Sequence, residues 1–260
     1  MFLRLKKLDM NKWINHIVDH KESRINLFCF PHAGASSAFF AKWGSYFTEQ
    51  INLRTIQYPM RDLRYQEPMP VSIQEMAQNL AMEGAELFCE PFAFLGHCAG
   101  GIIAYETAAA LKRYFNIEPA YLVISSAISP GTTHLVSTAA MSDEEFCRHY
   151  SVTEDMFGGN EDLMRFFLPI MRADYELCER YESGIAERLE CPIFAVCGAQ
   201  DPQIERIEDV EDWQNYTDGP FELCLTKGDH FYFQNDPGAI CRKIEEKLLA
   251  CNAGYEIDEI

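Results

Sequence analysis

Phe92-Ala93-Phe94-Leu95-Gly96-His97-Cys98-Ala99-Gly100-Gly101-Ile102-Ile103 is the stretch on which the reading of this 260-residue chain turns. An apolar run ends at Gly96, and a helical pattern begins at Gly101 and continues to Phe115. Between them, glycine stands two residues before and two residues after Cys98. A strand that turns sharply into a helix brings the two elements so close that only the smallest residues fit at those flanking positions. The residue at the apex is then held in a strained conformation, with its side chain presented at the carboxyl end of the strand. The pattern predicts a nucleophile elbow, with the thiol of Cys98 as the attacking group.

Working outward, short apolar runs at 25–30, 53–58, 92–97, 121–125, 193–196 and 221–225 read as strands. Helical patterns occupy 37–47, 73–88, 101–115 and 236–249, the last opened by Asp236 as cap and Pro237 in its first turn. Strands and helices taking turns imply a mainly parallel sheet covered on both faces, with functional groups at the carboxyl ends of strands. The segment from about 130 to 190 is too long for a simple crossover. It carries two helical patterns, 142–150 and 161–181, separated by Gly158-Gly159-Asn160, and Ser142-Asp143-Glu144-Glu145 matches a capping box. Placed after the strand beyond the nucleophile, it is expected to form a helical lid over the reacting centre. The acidic tail 255–260 is expected to fray.

Length and composition set bounds. With 48% apolar residues the chain can fill one large α/β domain, read here as spanning 1–260. No signal-peptide core and no membrane-spanning apolar run is visible, so a cytoplasmic protein without a membrane partner is expected. The ten cysteines are scattered without C-x-x-C pairs, which argues against zinc or a disulfide framework; no metal is expected. A net charge of −18 argues against nucleic acid. The chain is expected to act as a monomer.

A cysteine nucleophile needs a base and a group that orients the base. In α/β-hydrolases these follow in the order nucleophile, acid, histidine. His230 is the one histidine beyond the fifth predicted strand, and it sits directly after the sixth. Asp201, just after the fifth, is the preferred acid; Asp229 is the alternative, although it would have to fold back on its own neighbour. The oxyanion requires two backbone N–H donors. Ala99, first into the helix, supplies one, and the loop Pro31-His32-Ala33-Gly34-Ala35 after the first predicted strand supplies the other. His32 is read as a brace for that loop and His97 as a packing residue.

Taken together, Phe30-Pro31-His32-Ala33-Gly34, Gln57-Tyr58-Pro59 with Arg61, Glu67-Pro68, Gly96-His97-Cys98-Ala99-Gly100, Leu168-Pro169-Ile170-Met171-Arg172-Ala173-Asp174, Cys191-Pro192-Ile193 and Gly228-Asp229-His230-Phe231 resemble the type II thioesterases of nonribosomal peptide and polyketide assembly lines. The resemblance covers nearly all of the chain after about residue 25. It implies an α/β-hydrolase fold with a helical lid, a triad of Cys98, Asp201 and His230, and oxyanion donors at Ala33 and Ala99. It also implies acyl or peptidyl carrier protein domains as partners, with the substrate on their phosphopantetheine arm and no cofactor of the enzyme's own. Three positions depart from the family pattern: Cys98 replaces the usual serine, Ala35 a usual glycine, and Met60 the glycine of a Tyr-Pro-Gly-Arg signature.

A thiol nucleophile changes the chemistry. Acyl exchange from a carrier onto Cys98 makes another thioester, which stays activated toward water, thiols and amines. Hydrolysis is the favoured outcome, transfer to a second carrier or an amine the alternative, and a non-catalytic carrier-binding role a third that an intact His230 and Asp201 argue against. Because carriers and this chain are both acidic, docking is expected to use lid apolar residues Phe157, Leu163, Phe166 and Phe167, with a local basic spot at Arg61 and Arg64.

Overall fold

Successive side chains of a strand point to opposite faces, and β2 (Ile25–Phe30) fills both of them. Ile25, Leu27 and Cys29 join one buried cluster with Phe40, Trp43, Ile240 and Leu248, while Phe28 and Phe30 join another with Ile73, Leu80, Ile103 and Leu111. Each such large apolar side chain contributes about 1.5–3 kcal/mol when fully buried. A strand buried on both sides must lie in the middle of a sheet with helices above and below. The computed structural model has that architecture; it describes residues 11–252 apart from 22, 133–135, 151, 185–186 and 235. The tail 255–260 lies outside the described residues.

The other strands are β1 (Ile14–Val18), β3 (Ile51–Ile56), β4 (Phe92–His97), β5 (Tyr121–Ser125), β6 (Ile193–Gly198) and β7 (Phe221–Thr226), arranged β1-β3-β2-β4-β5-β6-β7. Every neighbouring pair is parallel except β1 with β3. Helices α1 (Ile73–Gly84) and α2 (Ala99–Phe115) cover one face. The 3-10 segment Ser37–Tyr46 and, at the far end of the chain, the helix Pro237–Asn252 cover the other. Asp236 caps that last helix through Ala239 N–H at 3.0 Å, as its sequence predicts.

Several elements differ from expectation, β1 and β3 among them. β1 is not predicted, because an edge strand with one neighbour and the sequence Ile-Asn-His-Ile-Val shows no sustained alternation. β3 begins two residues before the predicted 53–58, because the polar Asn52 near its start is buried in the sheet. Asn52 Nδ2 donates to Asn26 Oδ1 at 3.2 Å, so a polar residue left outside the predicted strand is satisfied inside the sheet, and Arg54 pairs with Asp19 at 2.5 Å.

Between β5 and β6 lie helices α3 (Asp143–His149) and α4 (Glu161–Glu179). The capping box at the start of α3 is formed: Glu145 N–H reaches Ser142 Oγ at 3.2 Å and Ser142 N–H reaches Glu145 Oε2 at 2.8 Å. Phe146, Val152, Leu168 and Met171 give this segment a small core of its own. A single turn α5 (Glu208–Glu211) follows β6, and the helix Pro237–Asn252 is α6.

Candidate active site

At the end of β4 the chain turns into α2 through Cys98, which adopts φ 54° and ψ −126°. This left-handed backbone is costly for any residue with a Cβ and persists only where the surroundings enforce it. Here they do. A Cβ on Gly96 would lie 2.2 Å from the Gly100 carbonyl oxygen, and one on Gly100 would lie 2.1 Å from that of Phe30. Cys98 N–H donates to Ser125 O at 2.8 Å, pinning the elbow to the end of β5. The thiol is partly exposed, at the carboxyl edge of the sheet.

The loops after β6 and β7 converge behind it. His230 Nδ1 lies 2.9 Å from Asp201 Oδ2 and 3.1 Å from Oδ1, and both residues are buried. Burial opposes charge on the imidazole, but hydrogen bonding to Asp201 and Cys98 and their negative charge outweigh it, pushing the His230 pKa up to about 10. For Asp201, burial would raise the pKa; the hydrogen bond and charge of His230 and the Gln203 N–H overcome it, so its carboxyl stays below the ordinary range. Asp229 is occupied elsewhere, accepting the N–H of Phe231 at 2.9 Å. Sequence reasoning missed Gln203. Its N–H donates to Asp201 Oδ1 at 2.9 Å, and its Oε1 lies 3.8 Å from Cys98 Sγ; an exposed glutamine in a turn carries no sequence signal.

His32 and His97 flank this centre without joining it. His32 Nδ1 bonds the Ala33 carbonyl at 2.8 Å, and burial pushes its pKa down to about 4, leaving a neutral ring that donates to that oxygen. His97 is fully buried, bonded to Ser125 Oγ at 3.0 Å, and held well below its usual pKa by burial and then by the charge of His230. Ala33 lies in the loop after β2 and Ala99 is the first residue of α2, where backbone N–H groups lack intrahelical acceptors. Both line one narrow cavity of about 10 Å³, together with Tyr58, Ile103, Asp174 and Cys178. That volume holds about one water-sized group.

The expected basic spot at Arg61 and Arg64 is overturned. Their relative exposures are 3% and 4%. Arg64 stacks 3.9 Å from the centre of the Trp13 ring, pairs with Glu67 at 2.7 Å and donates to Gln57 O at 2.9 Å. Arg61 binds both oxygens of Asp174, at 2.8 and 2.5 Å. Guanidinium groups with internal acceptors of this kind are withdrawn from any partner's reach.

The aromatics expected to lie on a lid fall at the start of α4 and just before it. Phe166, half exposed, stacks on Tyr65 at 5.6 Å between ring centres; Phe167 lies between Phe166 and Phe157, at 5.2 and 6.0 Å. Leu163 is exposed. Met60, one of the three departures from the family pattern, has φ 64°, the left-handed conformation that glycine adopts at least cost. Among the described residues, no group of three or more His, Cys, Asp or Glu side chains is arranged to hold a metal ion.

A family model described as "Thioesterase domain" matches residues 25–248. "Thioesterase PikA5" of Streptomyces venezuelae is 30% identical over 93% of this chain and 87% of its own length. "Gramicidin S biosynthesis protein GrsT" of Aneurinibacillus migulanus is 31% identical over 86% and 88%. The solved structure of the type II thioesterase BorB from the borrelidin biosynthetic cluster is similar with a TM-score of 0.81 and 30% identity, covering 91% of this chain and 98% of that one.

Proposed function

The chain belongs to the thioesterase domain family, and from that premise we propose that it hydrolyses acyl or aminoacyl thioesters on the phosphopantetheine arms of carrier protein domains in nonribosomal peptide or polyketide biosynthesis, through an acyl-enzyme on Cys98. The observation that carries this reading is the strained Cys98 elbow, with the buried His230–Asp201 pair behind it. The names of similar proteins support the pathway: BorB is a type II thioesterase of a biosynthetic cluster, and GrsT a protein of gramicidin S biosynthesis.

The geometry supports an acyl-enzyme route. Cys98 Sγ, its proton held by His230, attacks the thioester carbonyl. The developing oxyanion takes hydrogen bonds from the N–H groups of Ala33 and Ala99, each worth about 2.7–4 kcal/mol in the transition state. The tetrahedral intermediate collapses, breaking the bond to the phosphopantetheine sulfur, which leaves with the proton from His230. A water molecule then gives its proton to His230 and attacks the Cys98 thioester, releasing the acid and restoring the thiol. Asp201 keeps Nδ1–H fixed, so that Nε2 faces the reacting atoms throughout. These groups supply nucleophile, base and oxyanion donors, so the proposed reaction needs no resident cofactor.

The thiol itself favours a second reading, acyl transfer, because a Cys98 thioester remains activated toward another thiol or an amine. A cytoplasmic, monomeric enzyme is part of the proposal, since the proposed partners are carrier domains of biosynthetic assembly lines. The test is to incubate the protein with an acyl-loaded carrier and follow enzyme, carriers and free acid by intact-protein mass spectrometry. An acyl mass on Cys98 and release of acid are expected. Acid release suppressed by an unloaded second carrier, with the acyl group appearing on it, replaces hydrolysis by transfer; equal kcat/KM on a carrier and on an N-acetylcysteamine thioester rejects the carrier substrate.

A further inference from the structure

We infer that Asp174, on lid helix α4, is a positioning residue for the oxyanion loop: by accepting the Gly34 N–H it holds the backbone at Ala33 in the conformation that presents its N–H to the reacting carbonyl. The inference rests on the acyl-enzyme reading above and adds to it a residue of the lid.

The peptide unit joining Ala33 to Gly34 is gripped at both ends. Its carbonyl oxygen takes the hydrogen bond from neutral His32 at 2.8 Å, and its N–H donates to Asp174 Oδ2 at 2.6 Å. Gly34 has φ 80°, and a Cβ there would lie 2.8 Å from a carbon of Met171 on the same lid helix, so the loop and α4 are in close contact. One residue further on, the Ala35 carbonyl accepts Arg61 Nη1 at 2.8 Å, and Arg61 Nε donates to Pro59 O at 3.1 Å. Arg61 in turn binds both oxygens of Asp174. The loop is therefore held by a buried ion pair that takes its N–H on one side and its carbonyl on the other. A carboxylate so buried persists because the guanidinium neutralises it, and its charge shortens and strengthens the bond to Gly34.

An ion pair that only seated the lid would have no reason to spend one carboxylate oxygen on the loop that carries a proposed oxyanion donor. Asp174 and Ala33 also line the same cavity as Ala99. Because Asp174 lies 140 residues from Gly34 along the chain, the lid helix and the oxyanion loop adopt their active arrangement together. Displacing α4 would release the Gly34 N–H and loosen the donor before it touched Cys98 or His230.

The test separates oxyanion stabilisation from thiol reactivity. Acylation of Cys98 by an acetyl thioester of N-acetylcysteamine requires the oxyanion donors, whereas alkylation of Cys98 by iodoacetamide does not. Both rates are measured by intact mass on the full chain for the wild type, Asp174→Asn and Asp174→Ala. Asn can still accept the Gly34 N–H but lacks the charge; Ala lacks both. The expected order of acylation is wild type, then Asn about tenfold slower, then Ala about 10²-fold slower or more, as for loss of an oxyanion donor. Alkylation is expected to stay within about threefold for all three proteins. Acylation and alkylation falling in parallel, or wild-type acylation in Asp174→Ala, overturns the inference; should the Ala variant not fold, Asp174→Leu, which also lacks an acceptor for the Gly34 N–H, decides in its place. Wild-type protein that is alkylated at Cys98 but never acquires an acyl mass there overturns the acyl-enzyme reading itself, and the inference with it.

Discussion

His230 Nδ1 lies 2.9 Å from Asp201 Oδ2 although the two residues leave the sheet from different strands, β7 and β6. The pair exists because parallel neighbours deliver their following loops to the same edge of the sheet, where Cys98 also stands. Asp229, adjacent in sequence to His230, is instead spent on a turn.

Removing the base is therefore expected to cost more than weakening its orienter. His230→Ala should lower kcat/KM by about 10²- to 10⁴-fold, and Asp201→Asn by less, since a thiol gives up its proton more readily than a hydroxyl. Steady-state kinetics on one carrier-bound substrate, with circular dichroism to confirm folding, checks this. A crippling Asp229→Asn beside a silent Asp201→Asn would exchange the roles of the two aspartates.

The raised pKa of His230 makes stability depend on pH with a definite sign. Its folded value of about 10 exceeds the ordinary 6.5, so the imidazolium contributes stability that is complete below pH 6.5 and lost as pH rises through about 10. The depressed carboxyl of Asp201 acts at the other end: its contribution is present above 3.8 and is lost as pH falls through its lower folded value. Because Cys98 supplies part of the upward push on His230, Cys98→Ala should lower the histidine's pKa and flatten the loss of thermal midpoint between pH 7 and 10. Histidine NMR titration of both proteins reads it directly; an unchanged His230 titration removes the coupling.

Met60 holds a left-handed backbone that costs a residue with a Cβ about 1–2 kcal/mol relative to glycine. Met60→Gly should raise unfolding stability by up to about 1 kcal/mol, after the extra chain entropy of glycine is subtracted. Urea denaturation gives the value. A drop would mean that the half-buried methionine side chain outweighs the strain.

Phe166 is 50% exposed and stacked on Tyr65, so its truncation should leave the thermal midpoint nearly unchanged. If this face receives a carrier domain, Phe166→Ala raises KM for a carrier-bound acyl group on the order of fivefold, while kinetics on the N-acetylcysteamine thioester stay as they are. Equal effects on both substrates place the residue in substrate binding rather than docking.

Residue patterns that act over a few positions were legible without coordinates. The glycines around Cys98, the apolar strand before it, the Ser142 capping box and the Asp236 cap all depend on neighbours within one or two turns, and each takes its expected conformation. Strand β1 was hidden, because an edge strand needs little apolar sequence, and the start of β3 was misplaced by its buried Asn52, whose partner Asn26 lies on another strand.

The succession of the six parallel strands and the main helices, the elbow at Cys98 and the residue types of the site follow from the sequence by itself, because periodicity, small-residue spacing and capping are written locally. Tertiary structure decided what no local pattern encodes: that Asp201 rather than Asp229 meets His230, that Gln203 reaches Cys98, and that Arg61 and Arg64 are interior anchors rather than a basic surface. The Arg61–Asp174 pair shows the reason most plainly. Its members stand 113 residues apart in recognisable segments, yet a charged side chain reads as solvent-exposed until the fold supplies the opposite charge that lets it stay buried.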